Sequence, residues 1–200
     1  MKVYGILLFW VISIGACNNH VPKTETISAP HSSIQQQKNN QQEEAFMCPR
    51  GQATAVLDKD DYPNATFTLE ADTISAIENT LLPTGDKLTV RTWGCEYLVY
   101  TFSFETSHFA ADTSDLKYWY GAAQKLMTGM LGGTNASLDL KKGIMYLGYY
   151  TVNNKGALKL GEEIDFSEPN SYNNFATLDR IERLPNGNYT VTISFSEGPL

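Results

Sequence analysis

Residues 175–196 constrain the fold of this chain more than any other stretch. "FATLDRIERL" and "NYTVTISFS" are two alternating runs, and between them stand Pro185, Asn186 and Gly187. Alternation of apolar and polar residues is the signature of a half-buried strand, because successive side chains leave a strand on opposite faces. Asn-Gly between two such runs predicts a β-hairpin closed by a type I′ turn, whose two central residues both take positive φ. A C-terminal hairpin is therefore expected, and a hairpin needs further strands or a helix layer to bury its apolar face.

The first half of the domain supplies them. "ATAVL" (53–57), "ATFTLEA" (65–71), "TISAIE" (73–78), "DKLTVRTW" (86–93) and "EYLVYTFSFE" (96–105) read as strands separated by turn chemistry, a meander of four or five. In the last of these Leu98, Tyr100, Phe102 and Phe104 share one face, which is expected to be core. The texture then becomes helical. Asp112, Thr113 or Ser114 is placed to cap a helix carrying Leu116, Tyr120, Ala123, Leu126 or Met127, and Met130, with Gly129 to Gly133 as its stop. "NASLDLKKGIMYLGYY" (135–150) reads as a second helix or, given Gly143 and Gly148, as a strand pair. The expected class is α+β: an antiparallel sheet with one or two helices packed on one face.

Ahead of this domain lie two segments of different character. Lys2 is followed by fourteen uncharged residues, Val3 to Ala16, too short for a membrane span of roughly 20 apolar residues but suited to a signal peptide over 1–16. Its last residues, Ile14-Gly15-Ala16-Cys17, resemble the lipobox of bacterial lipoproteins. That resemblance implies cleavage before Cys17, a diacylglycerol on its thiol and an acylated new N-terminus; several acyl chains together hold a protein firmly on a bilayer. Asn18, where an Asp often marks retention in the inner membrane, implies the outer membrane, and the absence of an acidic run after Cys17 implies the periplasmic side. Residues 17–46 then read as a lipidated, polar tether with a reach of about 30 Å. Its "SSIQQQKNNQQEE" stretch lacks the apolar surface needed to offset the entropy of ordering. The single domain spans 47–200.

With Cys17 taken by lipid, Cys48 and Cys95 remain as an even pair in an oxidising compartment, where a disulfide is expected. Removing Lys2 with the signal leaves 14 basic against 22 acidic residues, a net charge of −8. No Lys/Arg cluster suggests a phosphate-binding surface, so nucleic acid is not an expected partner.

Candidates for chemistry are sparse. His108 is the sole histidine of the domain and reads as a turn residue at a strand end; no Gly-x-Ser-x-Gly elbow accompanies Ser107. Asp58, Asp60 and Asp61 in "LDKDDYPN" begin like a calcium loop, but Pro63 and Leu69 stand where an EF-hand needs Gly and Glu, so a solvated turn is expected. Glu162, Glu163 and Asp165 read the same way, and no metal or other cofactor is expected. "KYWY" (117–120) and "YLGYY" (146–150) are dense in aromatics, and Tyr118, Trp119, Tyr149 and Tyr150 are the candidate binding surface, because amphipathic aromatics suit glycan or protein partners. Asp72-Thr73-Ile74 resembles a tripeptide at which some Gram-negative bacteria attach O-linked glycans. The functional expectation is an envelope-anchored, non-catalytic binding lipoprotein of the immunity or inhibitor type, with a protein or glycan partner. The rival expectations are a glycan-acting enzyme using two of Asp58, Asp61, Glu96, Glu105 and Asp112, and an accessory subunit of an outer-membrane complex.

Overall fold

The computed structural model describes residues 48–154 and 156–200. The signal peptide (1–16), Cys17 and the tether (17–46) lie outside the described residues. Seven strands form one antiparallel sheet: β1 (Thr66–Leu69), β2 (Ala76–Leu81), β3 (Lys87–Trp93), β4 (Leu98–Thr106), β5 (Ile164–Asp165), β6 (Asn173–Arg183) and β7 (Tyr189–Gly198). Their spatial order is β1-β2-β3-β4-β7-β6-β5. Between β4 and β5 run α1 (Leu116–Met130), a 3₁₀ turn (Leu131–Gly133) and α2 (Leu140–Asn153). No helix among the described residues is long and apolar enough to cross a membrane.

The α+β class with helices on one face and a C-terminal hairpin is thus the architecture found. β4 is the centre of the sheet, and its inward residues Leu98, Tyr100, Phe102 and Phe104 are buried as the alternation requires. The helices cover the inward face of β6 and β7, where Phe102 meets Phe195 edge-on at 5.9 Å and Trp119 packs on Tyr189 at 4.8 Å. Gly143 makes this contact possible: a Cβ there would lie 2.7 Å from the Phe195 ring, so only glycine lets α2 approach so closely.

Several sequence expectations shift. "ATAVL" is not a strand; apart from one bridge, Leu57 to Thr134, it is coil, so the meander has four strands. Its backbone is occupied elsewhere, since the Val56 and Leu57 N–H groups donate to the Glu78 carboxylate and Asn135 N–H donates to the Val56 carbonyl. Residues 73–75 belong to the β1–β2 turn, and β2 runs on to Leu81. The cap of α1 is Asp115, whose Oδ1 accepts Tyr118 N–H at 3.1 Å, while Asp112 is spent on the backbone N–H and hydroxyl of Ser114. The 135–150 stretch is a helix from Leu140, capped by Asp139.

The C-terminal hairpin is present, but its turn is not type I′. Gly187 has φ of 87°, whereas Asn186 is not among the described residues with positive φ. Gly187 N–H donates to the Leu184 carbonyl at 3.0 Å and Leu184 N–H to the Asn188 carbonyl at 2.8 Å. Pro185 explains the difference: a two-residue Asn-Gly loop would close on a Pro185–Asn188 pair, and proline has no N–H to donate, so the pairing closes one residue further out at Leu184 and Asn188. Pro185, with φ near −65°, then opens a three-residue loop that ends in the left-handed Gly187.

Candidate functional site

The face of the sheet away from the helices is a network of short polar side chains. Trp93 Nε1–H donates to Thr101 Oγ1, Thr101 and Ser194 share a hydrogen bond at 2.9 Å, and the Ser194 and Thr177 hydroxyls donate to Asp179. Asp179 stands at a bulge where the β6–β7 register shifts. These groups satisfy one another.

The helices present a different surface. On α2, Met145, Tyr149 and Val152 are 42%, 52% and 80% exposed. Spacings of four and three residues place them on one side of the helix, an apolar stripe pointing to solvent. Ile144, Leu147 and Leu140 on the opposite side are buried, so the core face of α2 is already filled. At the N-terminal end of the stripe Met145 also borders a cleft of about 560 Å³ along the α1–α2 seam, together with Gln124, Thr128, Leu131 and Lys141. Tyr149 leans edge-on against Tyr146 at 5.9 Å, and the Lys142 ammonium lies 5.7 Å above that second ring while pairing with Glu168.

The four aromatics expected at a binding surface do not gather there. Trp119 is fully buried against Tyr189, its Nε1–H donating to the Asp112 carbonyl, and this corrects its assignment to the surface. The core stripe of α1 is wide enough to take both Trp119 and Tyr120, because positions 119, 123, 126 and 130 follow helical spacing as well as 116, 120 and 123 do. Tyr150 is half-buried and packs on Tyr120 at 5.3 Å. Tyr118 is exposed on another flank, where its hydroxyl accepts Ala110 N–H and it borders a groove with His108, Lys117 and Lys125. Tyr149 alone belongs to the α2 stripe. Met145 and Val152 were missed because an aliphatic residue on a helix is ordinarily core, and sequence spacing does not say which face of α2 meets the sheet.

The carboxylates proposed for catalysis are scattered, and three of the five are engaged by neighbouring groups. Asp58 accepts Asp60 N–H and an Asn135 amide proton. Glu105 lies on the open sheet face, where contacts to Lys87, Asn188 and Asn186 hold its pKa below the ordinary carboxylate value. Ser114 does the same for Asp112. A general acid needs the opposite shift. Asp61 and Glu96 are exposed, and none of these five borders the two clefts just described. Among the described residues, no three His, Cys, Asp or Glu are grouped to hold a metal ion. His108 sits just past the end of β4, its Nε2 2.9 Å from the Thr84 carbonyl and 3.7 Å from Asp86.

Cys48 and Cys95 are joined, their Cα atoms 5.3 Å apart. The bridge fastens the start of the domain to the β3–β4 turn, where Arg50 also donates to the Gly94 carbonyl. Comparison with protein-family models, curated proteins and solved structures found no match to this chain.

Proposed function

We propose that this chain is a bacterial lipoprotein, anchored by lipid on Cys17 to the outer membrane on its periplasmic side, whose domain binds a protein or glycan of the envelope without catalysing a reaction. Within that class the reading is an immunity-type inhibitor that neutralises a toxin or wall hydrolase. The observation that carries the binding role is the exposed stripe of Met145, Tyr149 and Val152 on α2. A contiguous apolar patch that the fold leaves in water marks an interaction surface more often than a lone exposed residue does. The Cys48–Cys95 bridge supports export, since such bridges persist in oxidising compartments.

The test is capture of partners from envelope extracts by the full lipidated chain and by a Met145→Ser/Tyr149→Ser/Val152→Ser variant. All three side chains already face solvent, so the variant is expected to fold normally. Loss of an aromatic anchor costs about 2 kcal/mol at a hot spot, a weakening of roughly thirtyfold. Equal capture by both chains would remove the stripe from the account; no partner for either would remove the binding role. Mass spectrometry of the mature N-terminus tests the anchor separately. The same stripe favours, as a second reading, an accessory subunit of an outer-membrane complex, for which the captured partner would be an integral membrane assembly.

A further inference from the structure

The β1–β2 turn holds a backbone outlier. Thr73 has φ of 61°, and Asn170 is the only other described non-glycine residue with positive φ. Asparagine tolerates the left-handed region, whereas a β-branched side chain there is crowded against the backbone. Gly or Asn would make the same turn with less strain. Turn geometry therefore does not account for threonine, and an outlier of this kind points to a role for its side chain.

The surrounding contacts keep that side chain on display. Thr73 N–H donates to the Glu70 carbonyl, and Ala53 N–H donates to the Thr73 carbonyl, each at 3.0 Å. The Asp72 carboxylate accepts the N–H groups of Ile74 and Ser75 and the Ser75 hydroxyl, at 3.1, 2.8 and 2.7 Å. The polar groups of the turn are thus engaged, Ser75 is buried and Ile74 partly so. Thr73 is exposed, and its hydroxyl makes no hydrogen bond among the described residues. A neutral hydroxyl projects from a rigid turn, flanked by a fixed carboxylate and a half-buried aliphatic residue.

We propose that Thr73 Oγ1 is a site of O-glycosylation. The hydroxyl oxygen attacks C1 of a sugar activated as a phosphate ester. The new Oγ1–C1 bond forms as the bond from C1 to the phosphate oxygen breaks. The phosphate leaves with the bonding electrons, and the hydroxyl proton passes to a base of the transferase. Donor and transferase are external to this chain. The molecule carries its own control in Thr113, also exposed and also preceded by an aspartate, Asp112, whose carboxylate accepts from the serine two residues on, where Asp72 accepts from Ser75 three residues on. Thr113 is not left-handed, and it is followed by Ser114 rather than an aliphatic residue. The inference goes beyond the binding role and requires only export.

Glycopeptide mass spectrometry of the full chain, purified from the envelope of the producing bacterium, tests it. The expected result is a glycan on the peptide containing Thr73, with Thr113 bare. Thr73→Gly suits a φ of 61° and preserves the turn, so it should abolish the glycan without loss of protein; Thr73→Ser should retain it. A bare Thr73 in the envelope-purified chain overturns the proposal, as does a glycan that persists unchanged in Thr73→Gly. Lipid on Cys17 is read from the N-terminal peptide in the same spectra, so failure of the anchor and failure of the glycan are told apart.

Discussion

Glu78 is 2% exposed, with Oε1 accepting Val56 N–H at 2.7 Å and Oε2 accepting Leu57 N–H at 3.0 Å. Burial pushes its pKa up, and the two amides with Lys59 pull against that rise without cancelling it. An acid with a raised folded pKa binds its proton more tightly folded than unfolded. Its stabilising contribution is therefore full below the ordinary carboxylate value and is lost as pH rises through the folded pKa. Glu78→Gln removes this titration and sets an amide NH₂ against one of two backbone donors, a cost of about 1–3 kcal/mol. In urea denaturation from about pH 4 to about pH 8, the advantage of wild type over the variant should shrink as pH rises; a difference independent of pH would contradict the assignment. Nothing in the alternation of 73–78 marks Glu78 as an inward residue. Its direction follows from pairing: Glu78 lies opposite Val90, and β3 must bury Leu88 and Val90. At this scale the candidate site was half legible, since the aromatic density around 118–120 and 146–150 is visible but the inward turn of Trp119 is not.

Elements were the most legible level, where a long run carries one period. β3, β4 and β7 alternate over seven, nine and ten residues, and α1 repeats its apolar positions across fifteen. Such runs leave one face to bury and hence one phase. Short elements were not legible: β5 has two residues and depends wholly on β6 for its existence. The two glycines that made α2 ambiguous have packing causes. A Cβ at 143 would meet Phe195 at 2.7 and 2.8 Å and Phe166 at 3.1 Å, and one at 148 would meet the Gln124 amide at 2.5 Å. Gly143→Ala should therefore destabilise the protein by about 1–3 kcal/mol despite alanine's better helix propensity, because neither Phe195 nor Phe166 has room to move. Thermal denaturation checks this. Gly148→Ala should cost less, its obstacle being the end of a flexible glutamine.

At the scale of the whole molecule, the Cys48–Cys95 bridge spans 47 positions and encloses β1, β2 and β3. Closing a loop of that length stabilises by about 4 kcal/mol on the chain-entropy view. A Cys48→Ser/Cys95→Ser variant should accordingly shift the urea midpoint far down under non-reducing conditions, and reductant should shift wild type but not the variant. An unchanged midpoint would mean that the 48–65 segment is held by its hydrogen bonds to Glu78, Gly133 and Thr73 alone.

The amino-acid order by itself determined the long repeating parts: the runs that become β3, β4 and β7, where α1 lies, and that the domain ends in a hairpin. Each depends on neighbours a few residues apart, whose geometry is fixed by backbone periodicity. Tertiary structure alone decided that β7 inserts beside β4, that Glu78 and Trp119 turn inward, and that Met145, Tyr149 and Val152 stay in water. Those outcomes depend on which surfaces meet across separations of tens of residues, and burial belongs to the pair of surfaces rather than to either run.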